Sequence, residues 1–326
     1  MSEPANFIQE YIHREIPVIN QVLERQIRDL NPLVREVAEH VLMAGGKRLR
    51  PLLTILCSRC FGLDSREEYD LGCAFELVHS ATLIHDDILD NADLRRGRKA
   101  AHLIFGLDRT VLAGDALLAL SNMIVAAYGD ARLTQCVSEA LLHTASGETE
   151  EIFWMRKPNL DRENYLQIIR GKTAYLIQAA CKCGCMLAGA EKERIKECSE
   201  YGFNIGIAFQ LVDDALDYTS DSSTSGKPLG GDLAEGKLTL PFILYLNSLK
   251  QEEKSVLLAK LAADSFTREE REDLILQVQK CGFADQVREE AGAYIQRGRE
   301  ALLNFPESKE KKILEMITDV ILYRNH

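Results

Sequence analysis

Read as apolar against polar positions, the chain predicts helices almost throughout. Ile19, Val22, Leu23, Ile27 and Leu30 recur three or four residues apart, which places them on one helical face. Leu33, Val37, Val41 and Leu42 repeat the pattern before Gly45 and Gly46 stop it. Pro51 then stands at a permitted first-turn position of "PLLTILCSRCFG". "EYDLGCAFELVHSATLIHDDILDNA" reads as one long helix, and another follows Asp115 through "DALLALSNMIVAAYG". Further helices are expected from Leu133 to Trp154, Asp161 to Ala188 and Lys192 to Tyr218, and several more after Lys237. Period-two alternation is nearly absent, so the fold class is all-α.

Several of these helices are apolar on most sides, as befits the middle of a bundle. Small residues recur in them (Ala74, Ala81, Ala113, Ala119, Gly147, Ala179, Gly184) and permit close packing or a cavity. The longest turn-rich stretch runs from Thr219 to Gly236, with no sign of a second domain beyond it. The expectation is one all-helical domain over residues 1–326, its charged, amphipathic C-terminal part forming the outer layer.

Composition narrows the function. The hydrophobic share of 46% suits a large globular core. The net charge of -11, with no basic block, speaks against nucleic acid as partner. The N-terminal "MSEPANFIQEYIHRE" carries acids and no apolar segment of the secretory kind. No apolar run reaches the ~18 residues of a membrane span. The nearest, from Ala116 to Ala127, is broken by Ser121 and Asn122. Nine cysteines, an odd number, read as reduced thiols of a cytoplasmic protein. "CSRC" and "CKCGC" could be metal or redox motifs. Their helical context favours small apolar residues lining helix faces.

The chemistry concentrates in two places. Asp86, Asp87 and Asp90 have the spacing D-D-x-x-D, and so do Asp213, Asp214 and Asp217. The first and last acid of each set are i and i+4, hence neighbours on one helix face, and the middle one lies about 100° round. Helix-interior aspartate is unfavourable, and like charges at i,i+4 add to the cost. Two such clusters, each after about two apolar turns, point to shared cations. Mg²⁺ suits them best, because it takes one or two carboxylates and leaves positions for water and substrate phosphate. Basic residues accompany the acids: Lys47, Arg48 and Arg50 in "GGKRLRP", Arg95 and Arg96 in "LRRG", Lys172 with Thr173 in "GKT", and Lys227 and Lys237 after the second cluster. Arginine suits bidentate phosphate binding and lysine supplies a point charge. Metal-binding acids beside phosphate-binding cations make a diphosphate site.

In order and spacing, "GGKRLRP", "ELVHSATLIHDDILDNADLRRG", "VLAGD", "GKTAYL" and "GIAFQLVDDALDY…GKPLGGDLAEGKLTLP" resemble the trans-isoprenyl (polyprenyl) diphosphate synthases, over roughly residues 40–245. The octaprenyl type, which supplies quinone side chains, is the similar subgroup. The resemblance implies an all-α bundle around a central catalytic cavity, and a homodimer. It implies three Mg²⁺ ions (Mn²⁺ as substitute), held chiefly by Asp86, Asp90 and Asp213, with Asp87, Asp214 and Asp217 in support. It implies an allylic diphosphate, farnesyl or geranyl, on Arg95, Lys172, Thr173, Gln210, Lys227 and Lys237. Isopentenyl diphosphate would lie on Lys47, Arg50, His79 and Arg96.

In this family, residues about one turn before the first acid form the upper floor of the pocket that receives the growing tail. Here they are Ala81 and Thr82, both small, and only Ile88 and Leu89 separate Asp87 from Asp90. Both features imply a long product, about C30 to C50 and centred near C40. A farnesyl or geranylgeranyl synthase is the alternative. "EEIFWMR" departs from a Gln-containing pattern, which makes Phe153 and Trp154 candidates for the lower floor. A terpene cyclase would lack "GGKRLRP" and the second D-D-x-x-D, and a non-catalytic subunit would have lost acids.

Overall fold

The computed structural model describes residues 3–157, 159–219 and 229–324. Lys227 lies outside the described residues. Helices dominate: α1 (Glu3–Ile27), α2 (Pro32–Leu42), α3 (Leu49–Cys60), α4 (Glu67–Leu89), α5 (Ala101–Phe105), α6 (Leu107–Ala126), α7 (Ala131–Trp154), α8 (Arg162–Ile169), α9 (Tyr175–Leu187) and α10 (Lys192–Thr219). They continue with α11 (Gly231–Glu235), α12 (Leu240–Ser248), α13 (Gln251–Ala262), α14 (Arg268–Lys280), α15 (Phe283–Leu302) and α16 (Lys309–Tyr323). Among the described residues, strand is confined to β1 (Leu94–Arg95) and β2 (Arg98–Lys99), paired antiparallel with Leu94 opposite Lys99.

The chain divides into two compact units, each drawn from several stretches of sequence. One comprises Met1–Leu141, Ala179–Ser199 and Asn304–Met316; the other comprises Leu142–Gln178, Glu200–Leu303 and Ile317–His326.

In the first unit the expected apolar faces are buried. Ile19, Val22, Leu23 and Ile27 of α1 and Val37, Val41 and Leu42 of α2 join one core cluster with Ala81, Ile84, Ala113 and Leu117. Leu33 does not follow the pattern: it lies in the first turn of α2 and is 60% exposed. Helix α6 starts at Leu107, earlier than the sequence suggests, and runs along α4. The Ser121 hydroxyl donates to the Ala74 carbonyl at 2.9 Å. Gly114 leaves room for the His85 ring, whose Nε2 would be 2.4 Å from a Cβ there. Helix α6 is also long and apolar enough, by length and composition, to cross a membrane, with 33% of its apolar window buried. Cysteines serve as small core residues: all nine thiols are free and only Cys281 is exposed.

In the second unit two features set the site. The expected continuous helix over residues 161–188 is interrupted by a π-helical turn, Arg170–Ala174. Such a turn inserts one residue into the 3.6 repeat, often at a functional position. The turn also meets α7 glycine to glycine. A Cβ on Gly147 would be 2.5 Å from the Lys172 backbone nitrogen, and one on Gly171 would be 2.8 Å from the Gly147 Cα.

This crossing predicts that Gly147→Ala destabilises the protein by about 1–3 kcal/mol, the usual cost of overpacking a rigid contact. Urea unfolding measures it; an unchanged midpoint would contradict so tight a crossing.

Candidate active site

The first acid cluster closes α4. Asp90 is the C-cap, its N–H bonded to the Asp86 carbonyl at 2.8 Å, and both side chains are half-buried. Asp87 lies round the helix, 3% exposed. An unpaired carboxylate there would cost several kcal/mol. The Arg95 guanidinium compensates it, with Nε donating to Oδ1 at 2.6 Å. Arg95 and Arg96 stand beyond the end of α4, on the β1–β2 hairpin. Arg96 and Gly97 both have positive φ (50° and 73°), the signature of a two-residue type I′ turn.

The cations of this unit form a cluster with distinct roles. Arg48 is buried and structural: it pairs with Glu76 at 2.8 Å and donates to Asn20 at 3.0 Å. Arg50 keeps a buried Nε without a protein partner, and burial lowers its pKa to about 10 despite Glu76 nearby. Arg96 donates to the Gly45 carbonyl, and any Cβ on Gly46 would be 3.0 Å from its guanidinium. Lys47 is exposed in the same loop. His79 lies among these charges. Burial, then Arg50, Arg96, Arg95 and Arg48, hold its pKa well below the ordinary value, so it is neutral. Ala81 is fully buried in the α4–α6 core, while half-buried Thr82 donates its hydroxyl to the His79 carbonyl at 2.9 Å.

The second acid cluster lies within α10, and its three acids have different surroundings. Asp213 is about half exposed. Asp214 is 4% exposed and receives Tyr165 Oη at 2.5 Å and Gln210 Nε2 at 2.8 Å, while Thr173 donates to Gln210 at 2.7 Å. Burial still pushes Asp214 up to about 7. Asp217 accepts the backbone N–H groups of Gly231 (3.0 Å) and Asp232 (3.1 Å), and so ties the start of α11 to α10. Thr173 and Gln210 are thus part of a chain that orients Asp214.

Lys172 and Lys237 meet over α7. Lys172 contacts Glu151 at 2.5 Å and Glu148 at 3.1 Å; Lys237 contacts Glu151 at 3.5 Å and Glu235 at 2.8 Å. Burial would raise the Glu151 pKa, but the two ammonium groups outweigh it and hold it below the usual range. These lysines, with Glu151, Trp154, Asp214 and Asp232, line a cavity of about 110 Å³. Trp154 therefore sits beside the charged groups. Phe153 is 56% exposed, with the Lys157 ammonium over its ring. Neither placement is that of a floor beneath a buried tail pocket.

Sequence reasoning missed Tyr165, Asp232, Glu148 and Arg324, whose roles come from contacts distant in sequence. Glu151 had a signal, the departure of "EEIFWMR" from a glutamine pattern. Among the described residues, no group of three or more His, Cys, Asp or Glu side chains is arranged to hold a metal. The donors nevertheless suit Mg²⁺: Asp86 and Asp90 are half-buried carboxylates four residues apart, too few to enclose an ion without water and phosphate.

The sequence profile described as Polyprenyl synthetase matches residues 31–278. The chain belongs to the polyprenyl synthetase family. Its members are Mg²⁺-dependent prenyltransferases that use isopentenyl diphosphate and an allylic diphosphate, and this chain is a trans-prenyl diphosphate synthase. It is 30% identical to the octaprenyl diphosphate synthase of Escherichia coli over 98% of each chain. It is 34% identical to the geranylgeranyl diphosphate synthase of Methanosarcina mazei, over 93% of this chain and 95% of the relative. The fold matches a polyprenyl synthase of Caulobacter crescentus, crystallised with calcium and isoprenyl diphosphate. The TM-score is 0.92 at 32% identity, covering 98% of each chain.

The environment of His79 has a measurable consequence. A histidine kept neutral when folded takes up its proton only on unfolding. Its contribution to stability is complete above the unfolded pKa near 6.5 and falls below it, by at most ~1.4 kcal/mol per pH unit. Urea unfolding of the wild type should therefore weaken more steeply from about pH 7.5 to 5.5 than that of His79→Gln. Equal slopes would refute a neutral His79.

Proposed function

We propose that this prenyl diphosphate synthase makes a long all-trans product, about C30 to C50 and centred on octaprenyl diphosphate, by adding isopentenyl diphosphate to farnesyl or geranyl diphosphate for quinone side chains. The observation that carries the length is the small size of the two residues about one turn before the first acid cluster, Ala81 and Thr82. Ala81 and Thr82 occupy the turn where an aromatic would stop growth, and Thr82 is half-buried with its hydroxyl satisfied locally. Relatives of both lengths support the chemistry equally, since similar chains include geranylgeranyl and octaprenyl synthases.

Asp86, Asp90 and Asp213 are the direct ligands for three Mg²⁺ ions, with Mn²⁺ as a substitute. Bound metal would draw electron density onto the leaving diphosphate. The protein's own contribution is electrostatic and steric. Lys172, Lys237, Lys227 and Arg95 bind the allylic diphosphate, with Thr173 and Gln210 holding Asp214 in register. Arg50, Arg96, Lys47 and neutral His79 bind the isopentenyl diphosphate. Arg50 has a buried donor to offer that anion. As the allylic C–O bond breaks, the isopentenyl double bond attacks C1, and the released diphosphate accepts the proton then lost. Cations fixed before the reaction stabilise this departing charge without reorganisation.

The chain is proposed to act as a single functional domain over residues 1–326. The family profile, which draws on both units, supports that. A homodimer is proposed on the exposed large apolar side chains of α5 and α6, including Leu103 (51%), Leu107 (55%), Leu112 (62%) and Met123 (70%). A cytoplasmic location agrees with nine free thiols.

The test is to incubate the protein with Mg²⁺, labelled isopentenyl diphosphate and farnesyl diphosphate, then size the dephosphorylated products. A ladder ending near C40 is expected, and Thr82→Phe should shorten it toward C20. Products ending at C20 in the wild type would overturn the long-chain assignment. An unchanged ladder in Thr82→Phe would show that the tail does not pass this turn.

A further inference from the structure

We propose that Arg324 is the resting counter-cation of Asp213 and competes with the divalent metal for that carboxylate. The inference rests on the reading of Asp213 as a metal ligand. Arg324 follows the last turn of α16, and its side chain is only 8% exposed although it stands near the chain end. One guanidinium nitrogen, Nη2, serves two acceptors: Asp213 Oδ1 at 2.9 Å and the Phe209 carbonyl at 2.6 Å. The guanidinium carbon lies 4.0 Å from the centre of the Phe209 ring. Phe209 and Asp213 are i and i+4 on α10, so the arginine lies along the face that carries Asp213.

Three physical points make this a competition. A carboxylate oxygen already accepting a charge-assisted hydrogen bond presents less negative potential to a second cation. A guanidinium beside a dication repels it, more strongly in a partly buried site than in water. Release is also simple. Helix α16 ends at Tyr323, and Arg324 is not helical, so freeing it disrupts no helical turn. The pair therefore satisfies Asp213 while metal is absent and weakens metal capture until the arginine moves aside. A purely structural anchor would have the same contacts and no effect on the metal, which is what the experiment separates.

The experiment is a titration of the full chain with Mn²⁺, in the absence of diphosphate, with free Mn²⁺ read by electron paramagnetic resonance. Asp213→Asn should lose one class of binding site, which identifies the site concerned. In Arg324→Ala that class should bind about tenfold more tightly. Arg324→Lys, which keeps the charge but not the planar fork, should fall between the two. Arg324→Gln replaces Arg324→Ala if the alanine variant folds poorly. If Asp213→Asn loses no class of site, the metal reading of Asp213 fails and the inference with it. If a class is lost there, but Arg324→Ala and Arg324→Gln bind that class no more tightly than wild type, the competition is overturned and the metal reading stands.

Discussion

Carboxylates placed in apolar helices need compensating charge, and most of the site follows from how that need is met. The repulsion between i and i+4 aspartates is small, about 0.5 kcal/mol. Burying one without a partner costs several times that. The buried members are held by protein partners, Asp87 by Arg95 and Asp214 by Tyr165 and Gln210, and the half-exposed Asp213 is paired with Arg324. Asp217 is spent on two backbone N–H groups at the start of α11. Asp86, Asp90 and Asp213 keep the more open positions. The same three are the chief ligands that family resemblance implies.

The lysines face the same constraint with the sign reversed. Lys172 and Lys237 converge where the π turn presses against α7, and two ammonium groups so close need anions between them. Glu148 and Glu151 supply these. A diphosphate arriving at this point would exchange one set of anionic partners for another, which keeps the cations oriented and costs little rearrangement.

Helices and acid clusters were legible in the sequence because both are local. Apolar spacing put Ile19 to Ile27 and Val37 to Leu42 on buried faces, and a four-residue separation is enough to pair Asp86 with Asp90. The hairpin was not legible, since its turn uses Arg96 at positive φ where Asn or Gly is the usual signal. The π turn was hidden for a related reason: one inserted residue barely disturbs an apolar pattern that is already apolar on most sides. Tyr165, Glu148 and Arg324 act across long stretches of sequence, and spacing carries no information about them. Phe153 and Trp154 were candidates for the lower floor because "EEIFWMR" departs from a glutamine pattern, whereas packing exposes the first and puts the second beside the lysines.

The proposed function requires the two acid clusters and the basic residues to bind metal and diphosphate cooperatively. Thermal unfolding in the presence of Mg²⁺, inorganic diphosphate, or both tests it most directly. Ligands that bind only the folded state raise the melting temperature in proportion to occupancy. The shift with both present should exceed the sum of the separate shifts, because each fills the charge the other leaves. A combined shift no larger than that sum would contradict it.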